Sequence, residues 1–256
     1  MITLRIAAAC MLLFGMFAAA QTSPARAESP EPAELVTNSA IAVKRVARTP
    51  DIAPNVESLL ERAVGVMIFP NVLKGAFFIG GEGGSGVLLV KQPDGSWSYP
   101  AFYTMGSVSF GLQFGGQSSA VLLIIMTERG LESILRQQVK LGGDVSAAVG
   151  PIGAGAEAAT TAAMGADIVS YRSNQGLFVG ASVKGAVIGR REDWNHSFYG
   201  AAATPREIVL GNAVSNPDAD ELRDTLARLF ELAPPRERRR ASPDADRSRT
   251  VEPLPE

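Results

Sequence analysis

Between Val108 and Met126 two unlike hydrophobic patterns follow one another. Val108, Phe110, Leu112 and Phe114 alternate with Ser109, Gly111 and Gln113, the period of two that marks a strand with one buried face. Val121-Leu122-Leu123-Ile124-Ile125-Met126 is instead a continuous apolar run, too short to span a membrane and of the length of a strand covered on both faces. With turn residues at Gly115 to Ser119, the two segments predict an antiparallel pair. The glycines beside them predict a sharp bend or a close approach by another backbone or a ligand.

The same patterns organise the rest of the chain. Leu35, Val36, Ala40, Ala42, Val43, Val46 and Ala47 fall on one side of a helix expected over Glu28 to Arg48, with Ser29 as cap. Lys44, Arg45 and Arg48 fall on the other side with Ile41,. A shorter helix with Val56, Leu59, Leu60 and Ala63 inward follows the break at Thr49-Pro50-Asp51. Val64 to Phe69 reads as a buried strand ended by Pro70-Asn71, Ala76 to Ile79 as the next, and Val87 to Val90 as a third after the glycine run Gly80 to Gly86. Pro93-Asp94-Gly95 predicts a hairpin turn into Trp97-Ser98-Tyr99,. Thr127 caps a helix expected to bury Leu131, Ile134, Leu135 and Val139 and to stop at Gly142-Gly143. Ile168 to Tyr171 and Leu177 to Val183 predict a hairpin, with Ala186 to Ile188 prolonging its second strand. A short helix starts at Pro205, and a final one covers Asp218 to Leu232.

The ends differ from this domain. Arg5, the apolar stretch Ile6 to Ala20 and Ala25-Arg26-Ala27 have the form of a cleavable secretory signal, so residues 1–27 are expected to be removed and the protein to be exported, periplasmic or peripheral to the envelope membrane,. Cleavage leaves 22 basic against 26 acidic side chains, a balance that does not point to nucleic acid,. It also removes Cys10, the one cysteine, so the domain at 28–232 must be held by an ordinary core rather than disulfides,. Residues 233–256, rich in proline, arginine and acids, are expected to be disordered,.

Candidate chemistry is sparse. Gly81-x-Gly83-x-x-Gly86 matches a dinucleotide fingerprint as a string, but a strand is expected where the phosphate site needs a helix N-terminus,. No G-x-S-x-G elbow occurs, and His196, the one histidine, stands in an aromatic segment that reads as a packed corner,. Glu82, Asp144, Glu157 and Asp167 have no partners that spacing alone assigns. Nothing implies a cofactor or metal, and the chain is expected not to be an enzyme.

Several segments taken together resemble the SYLF family, a lipid-binding domain of membrane-trafficking and bacterial envelope proteins. They are Val64 to Pro70 followed by Lys74-Gly75, the glycine run Gly80 to Gly86, Trp97-Ser98-x-Pro100, and Gly106-x-x-Ser109-x-Gly111-x-Gln113-x-Gly115-x-Gln117. Gly176-Leu177-Phe178-x-Gly180 and Phe198-Tyr199-Gly200 complete the match, which runs from about Leu35 to Leu229. The resemblance implies binding of anionic phospholipids, phosphatidylinositol-type lipids in the family, with Lys44, Arg45 and Arg48 as headgroup contacts and Lys74 as an addition. It also implies actin binding for some fungal relatives, which an exported protein would not meet.

The expected fold is thus a single α+β domain, a twisted, mainly antiparallel barrel-like or sandwich sheet with flanking helices. The expected function is non-catalytic binding of anionic phospholipid at a membrane surface. An envelope structural or protein-interaction module is the alternative, and a cryptic hydrolase using His196 comes third.

Overall fold

The computed structural model describes residues 31–76, 79–110, 115–150, 165–174, 177–180 and 183–229. The expected signal segment, the tail and Glu157 lie outside the described residues. Six α-helices are described: α1 (Pro32–Ala47), α2 (Ala53–Arg62), α3 (Glu128–Ile134), α4 (Glu192–Tyr199), α5 (Pro205–Val209) and α6 (Asp220–Ala227), the last preceded by a 3-10 turn at Pro217–Ala219. Nine strands form one sheet: β1 (Gly65–Ala76), β2 (Ile79–Val90), β3 (Ala101–Phe110), β4 (Gly115–Ile125), β5 (Gln138–Lys140), β6 (Ala147–Val149), β7 (Ile168–Asn174), β8 (Leu177–Gly180) and β9 (Val187–Arg190). Their order is β5-β9-β3-β2-β1-β4-β7-β6, with β8 also on β7. Every pairing is antiparallel except that of β6 with β7. The sheet curls into a half-barrel, so the expected α+β class and mainly antiparallel, barrel-like sheet are what the chain forms.

Over residues 65–69, 87–90 and 121–125 both faces of the sheet are buried, which explains the continuous apolar runs,. Val66, Ile68, Val87, Leu89, Leu122 and Ile124 point to one face, where α1, α2, α4 and α6 cover them. Met67, Phe69, Leu88, Val90, Val121, Leu123 and Ile125 point to the other, against α3 and α5. Each fully buried side chain of this size contributes roughly 1.5–3 kcal/mol, so the two layers hold the domain without any crosslink.

Four expectations are corrected. Val108 to Phe110 does not pair with Val121 to Ile125: β3 lies on β2 and β4 on β1, so the β1–β2 hairpin stands between them, and Gly115 to Ser119 belong to β4 rather than to a turn. The β1 strand does not end at Pro70-Asn71 but runs through a bulge, with register shifts between Ile68 or Phe69 and Val72 or Leu73. Val139 belongs to β5, opposite Ile188, because α3 stops at Ile134 and the chain turns back onto β9. The β9 strand does not prolong β8 but lies across the sheet between β3 and β5.

The glycine run is strand, not turn, and the bulge gives the reason. A Cβ on Gly84 would stand 2.4 Å from the Asn71 carbonyl oxygen and 3.1 Å from Val72 Cα, and one on Gly86 would stand 2.4 Å from the Phe69 ring. The bulged strand presses its backbone onto β2 where side chains are missing. Gly84→Ala is therefore expected to destabilise the fold by about 1–3 kcal/mol, whereas Gly106→Ala, whose Cβ meets nothing nearer than 3.8 Å, is expected to be nearly neutral. Denaturant midpoints check this, and equal losses at the two positions would refute the close-approach explanation.

Candidate functional site

α1 is an amphipathic helix docked by its apolar side. Leu35, Val36, Ala40, Val43, Val46 and Ala47 are buried, as their spacing predicts. Proline in its first turn costs no hydrogen bond, since that amide has no helical partner,. The outward line carries Ile41, which is 48% exposed, then Arg45 and Arg48, both exposed. Lys44 stands beside this line, but its Nζ lies 2.7 Å from Glu221 Oε1 of α6, which packs alongside α1. The lysine lowers the Glu221 carboxyl below its ordinary range.

Lys74 is not brought to this surface. It sits on β1 directly opposite Glu82 of β2, on the face of the sheet away from α1. On that face Arg172 of β7 donates from Nη1 to Glu82 Oε2 at 3.0 Å and from Nη2 to Glu82 Oε1 at 2.9 Å. Arg172 Nη1 also reaches Ser119 Oγ at 3.0 Å, and Ser107 Oγ donates to Glu82 Oε1 at 3.2 Å. The two charged side chains are only 12% and 16% exposed. Flat strands lie about 4.8 Å apart, and β1 and β4 intervene between the partners. The pair can meet because the sheet curls towards this face.

The other carboxylates also find partners. Asp167, buried at the start of β7, accepts from Thr127 Oγ1 at 2.7 Å, Arg129 Nη2 at 2.7 and 2.9 Å, Arg129 Nε at 3.1 Å, Ser146 Oγ at 2.6 Å and the Ser146 amide at 3.0 Å. Burial alone would raise its carboxyl. The hydrogen bonds from Ser146, Thr127 and Arg129 outweigh it and hold the pKa at about 2. Asp144 accepts from the Lys140 amide at 2.8 Å and so closes a turn. His196 is exposed on α4, while Trp194 and Phe198 of that helix pack edge-on against Phe102. The aromatic corner is thus a short helix, stopped by Gly200 in the left-handed region,.

A cavity of about 570 Å³ opens between the turn after β2 and the segment that joins α5 to the 3-10 turn. The turn is tight: Gln92 N donates to Ser96 O at 2.8 Å, Gly95 has φ 85°, and Asp94 Oδ1 accepts from the Ser96 amide and hydroxyl. These two bonds lower the Asp94 carboxyl below its ordinary range. Gln92 Nε2 ties the turn to the Val209 carbonyl, and Asn212, at φ 48°, donates from Nδ2 to Gln92 Oε1 at 3.3 Å. Arg223 of α6 lies 4.1 Å over the Tyr99 ring, donates from Nε to the Trp97 carbonyl at 2.9 Å, and pairs with Asp220 at 3.1 Å. No pattern in the sequence joins these segments; the basic and aromatic residues at 97, 99 and 223 are its one trace.

Fold and surface define a binding domain: a half-barrel with a basic helix face on one side and a lined cavity at one edge. Among the described residues no group of three His, Cys, Asp or Glu side chains could hold a metal ion, and no helix is long and apolar enough to cross a membrane. Residues 106–229 match the family model described as Ysc84, Las17-binding protein actin regulator, and the chain carries a domain of that family, the SYLF family. It is 36% identical over 167 residues to Protein YSC84 of Saccharomyces cerevisiae, covering 64% of this chain and 36% of that protein. It is 34% identical over 179 residues to SH3 domain-containing protein PJ696.02 of Schizosaccharomyces pombe, covering 68% and 41%. It is 28% identical over 169 residues to SH3 domain-containing YSC84-like protein 1 of Homo sapiens, covering 66% and 49%. The chain thus spans less than half the length of these relatives. The names of family and relatives are those of binding or regulatory proteins.

Proposed function

We propose that the domain binds anionic phospholipid without catalysis, at a membrane surface, through the outward line of α1. The observation that carries this reading is the placement of Ile41, Arg45 and Arg48 on one exposed line of a helix whose opposite side is held in the core. An apolar side chain followed along the same line by two guanidinium groups suits the boundary between headgroups and acyl chains. Phosphatidylinositol-type lipids are the class the family resemblance favours, and an extracytoplasmic membrane surface follows from the leader expected at residues 1–27. Lys74, on the other face of the sheet, is no part of this contact. Glu221 occupies Lys44, so a lipid phosphate must compete with that carboxylate to recruit the lysine.

Vesicle co-sedimentation tests the proposal. Each basic side chain near an anionic surface contributes about 1 kcal/mol, so the double variant Arg45→Gln, Arg48→Gln is expected to bind vesicles containing phosphatidylinositol about 30-fold more weakly at low salt. Glu221→Gln, which releases Lys44, is expected to strengthen binding by up to about fivefold, the range of one exposed ion pair. Full affinity in the double variant would overturn the proposal. A second reading, a protein-interaction module, is favoured by the cavity beside Arg223 and by relatives named for binding Las17.

A further inference from the structure

We infer that the cavity between Asp94 and Arg223 takes a basic side chain, arginine or lysine, from an extended segment of a partner protein. The inference stands apart from the lipid reading, because the cavity is built from neither α1 nor the sheet faces.

Charge decides the sign of the ligand. Asp94 and Arg223 are the charged residues that line the cavity. Arg223 is already compensated: Asp220 pairs with it, the Trp97 carbonyl accepts from it, and Tyr99 covers one side of it. Asp220 also accepts from the Tyr99 hydroxyl at 3.1 Å, which fixes the ring under the guanidinium. Asp94 is exposed, and although the charge of Arg223 acts on it, no cationic side chain among the described residues pairs with it. Its Oδ1 is taken by Ser96, and among the described residues its Oδ2 has no hydrogen-bond partner. One carboxylate oxygen is thus left open in a cavity that Trp97 and Tyr99 also line, a combination that suits a guanidinium or ammonium group on an apolar stem.

The walls decide that the ligand is a peptide. The stretch from Asn212 to Ser215 is neither helix nor strand, and among the described residues Val214 and Ser215 make no main-chain hydrogen bond. Main-chain groups left open along one side of a cavity match the donors and acceptors of an extended chain. A volume of about 570 Å³ lies within the roughly 300–1,000 Å³ of ordinary ligand sites. The walls are also fixed in advance, since Gln92 bridges the turn to the end of α5 and Asn212 closes on Gln92. Little ordering is left to be done on binding.

Titration of the full chain with three blocked tripeptides, followed by amide and indole NMR signals, tests the inference. Acetyl-Gly-Arg-Gly-amide is expected to shift the Val214 and Ser215 amides and the Trp97 indole. Acetyl-Gly-Ala-Gly-amide is expected to bind several-fold more weakly, and acetyl-Gly-Glu-Gly-amide more weakly again. Asp94→Asn keeps an oxygen for the Ser96 donors and removes the charge, and it is expected to reduce binding of the arginine peptide by up to about fivefold, to the level of the alanine peptide. Equal binding of the three peptides, an unchanged affinity in Asp94→Asn, shifts confined to other regions, or no shift at tens of millimolar peptide would each overturn it.

Discussion

Replacing Asp167 with alanine is expected to cost about 2–3 kcal/mol of folding stability at neutral pH, the range for charge-assisted hydrogen bonds accepted by a buried carboxylate,. Three elements meet at this carboxylate: the start of α3 through Thr127 and Arg129, the approach to β6 through Ser146, and β7, which Asp167 immediately precedes. Loss of the carboxylate takes the shared acceptor from Thr127, Arg129 and Ser146, and water can replace it at the exposed Arg129 and Ser146, so the cost stays below that of a fully buried pair,. For a domain of this size the loss corresponds to a melting temperature lower by roughly 5–10 °C. The pH dependence carries the same signature. The folded carboxyl titrates at about 2 against an ordinary value of 3.8, so its contribution, about 2 kcal/mol, is complete above pH 3.8 and is lost as the pH falls towards 2. Denaturant midpoints followed from pH 5 to pH 2.5 should therefore fall faster for the parent than for Asp167→Ala. Parallel curves would show that the charge is not what holds this junction.

Arg172→Ala is the second large expected effect, about 3 kcal/mol, because among the described residues Glu82 would keep the Ser107 hydroxyl as its one hydrogen-bond donor, with Lys74 opposite it on β1,. The comparison that isolates the pair is a cycle of Arg172→Met, Glu82→Leu and the double variant Arg172→Met, Glu82→Leu. Buried ion pairs replaced on both sides by apolar groups are often neutral or better. The double variant is expected to recover most of the loss in either single one. Single losses below about 1 kcal/mol, with no coupling in the cycle, would mean that the contact behaves as an exposed pair and does not brace the curl.

Local pattern was enough wherever burial repeats over a few residues. The run from Val121 announces a strand covered on both faces, that at 87–90 an apolar strand, and the stripe from Leu35 to Ala47 a docked helix, because each depends on near neighbours in the chain. The glycines at 80–86 misled because glycine ordinarily punctuates strands, and only the pressure of the β1 bulge shows why a strand can consist of them. Partners of β3, β4 and β9 are chosen by the curled sheet as a whole, so adjacency in sequence gave the wrong hairpin. The candidate surface divides in the same way. Arg45 and Arg48 were legible from helical spacing. The capture of Lys44 by Glu221 was not, since 177 positions separate them. The cavity was hidden for a like reason, its walls being tied by a bond between Gln92 and Val209.

The nesting of β1–β2 between β3 and β4 also sets an order of events in time. A hairpin of sequence neighbours closes in about 1–10 μs, whereas β4 must return to β1 across two intervening strands, setting Ile125 beside Gly65. Such distant pairings bear the loop-closure entropy before any contact offsets it, and domains rich in them fold in milliseconds to seconds. The inner hairpin is accordingly expected to form first, with β3 and β4 assembling from either side, and Gly84→Ala is expected to slow folding as well as to lower stability. If Gly84→Ala speeds unfolding and leaves folding untouched, the hairpin forms late and the order is reversed.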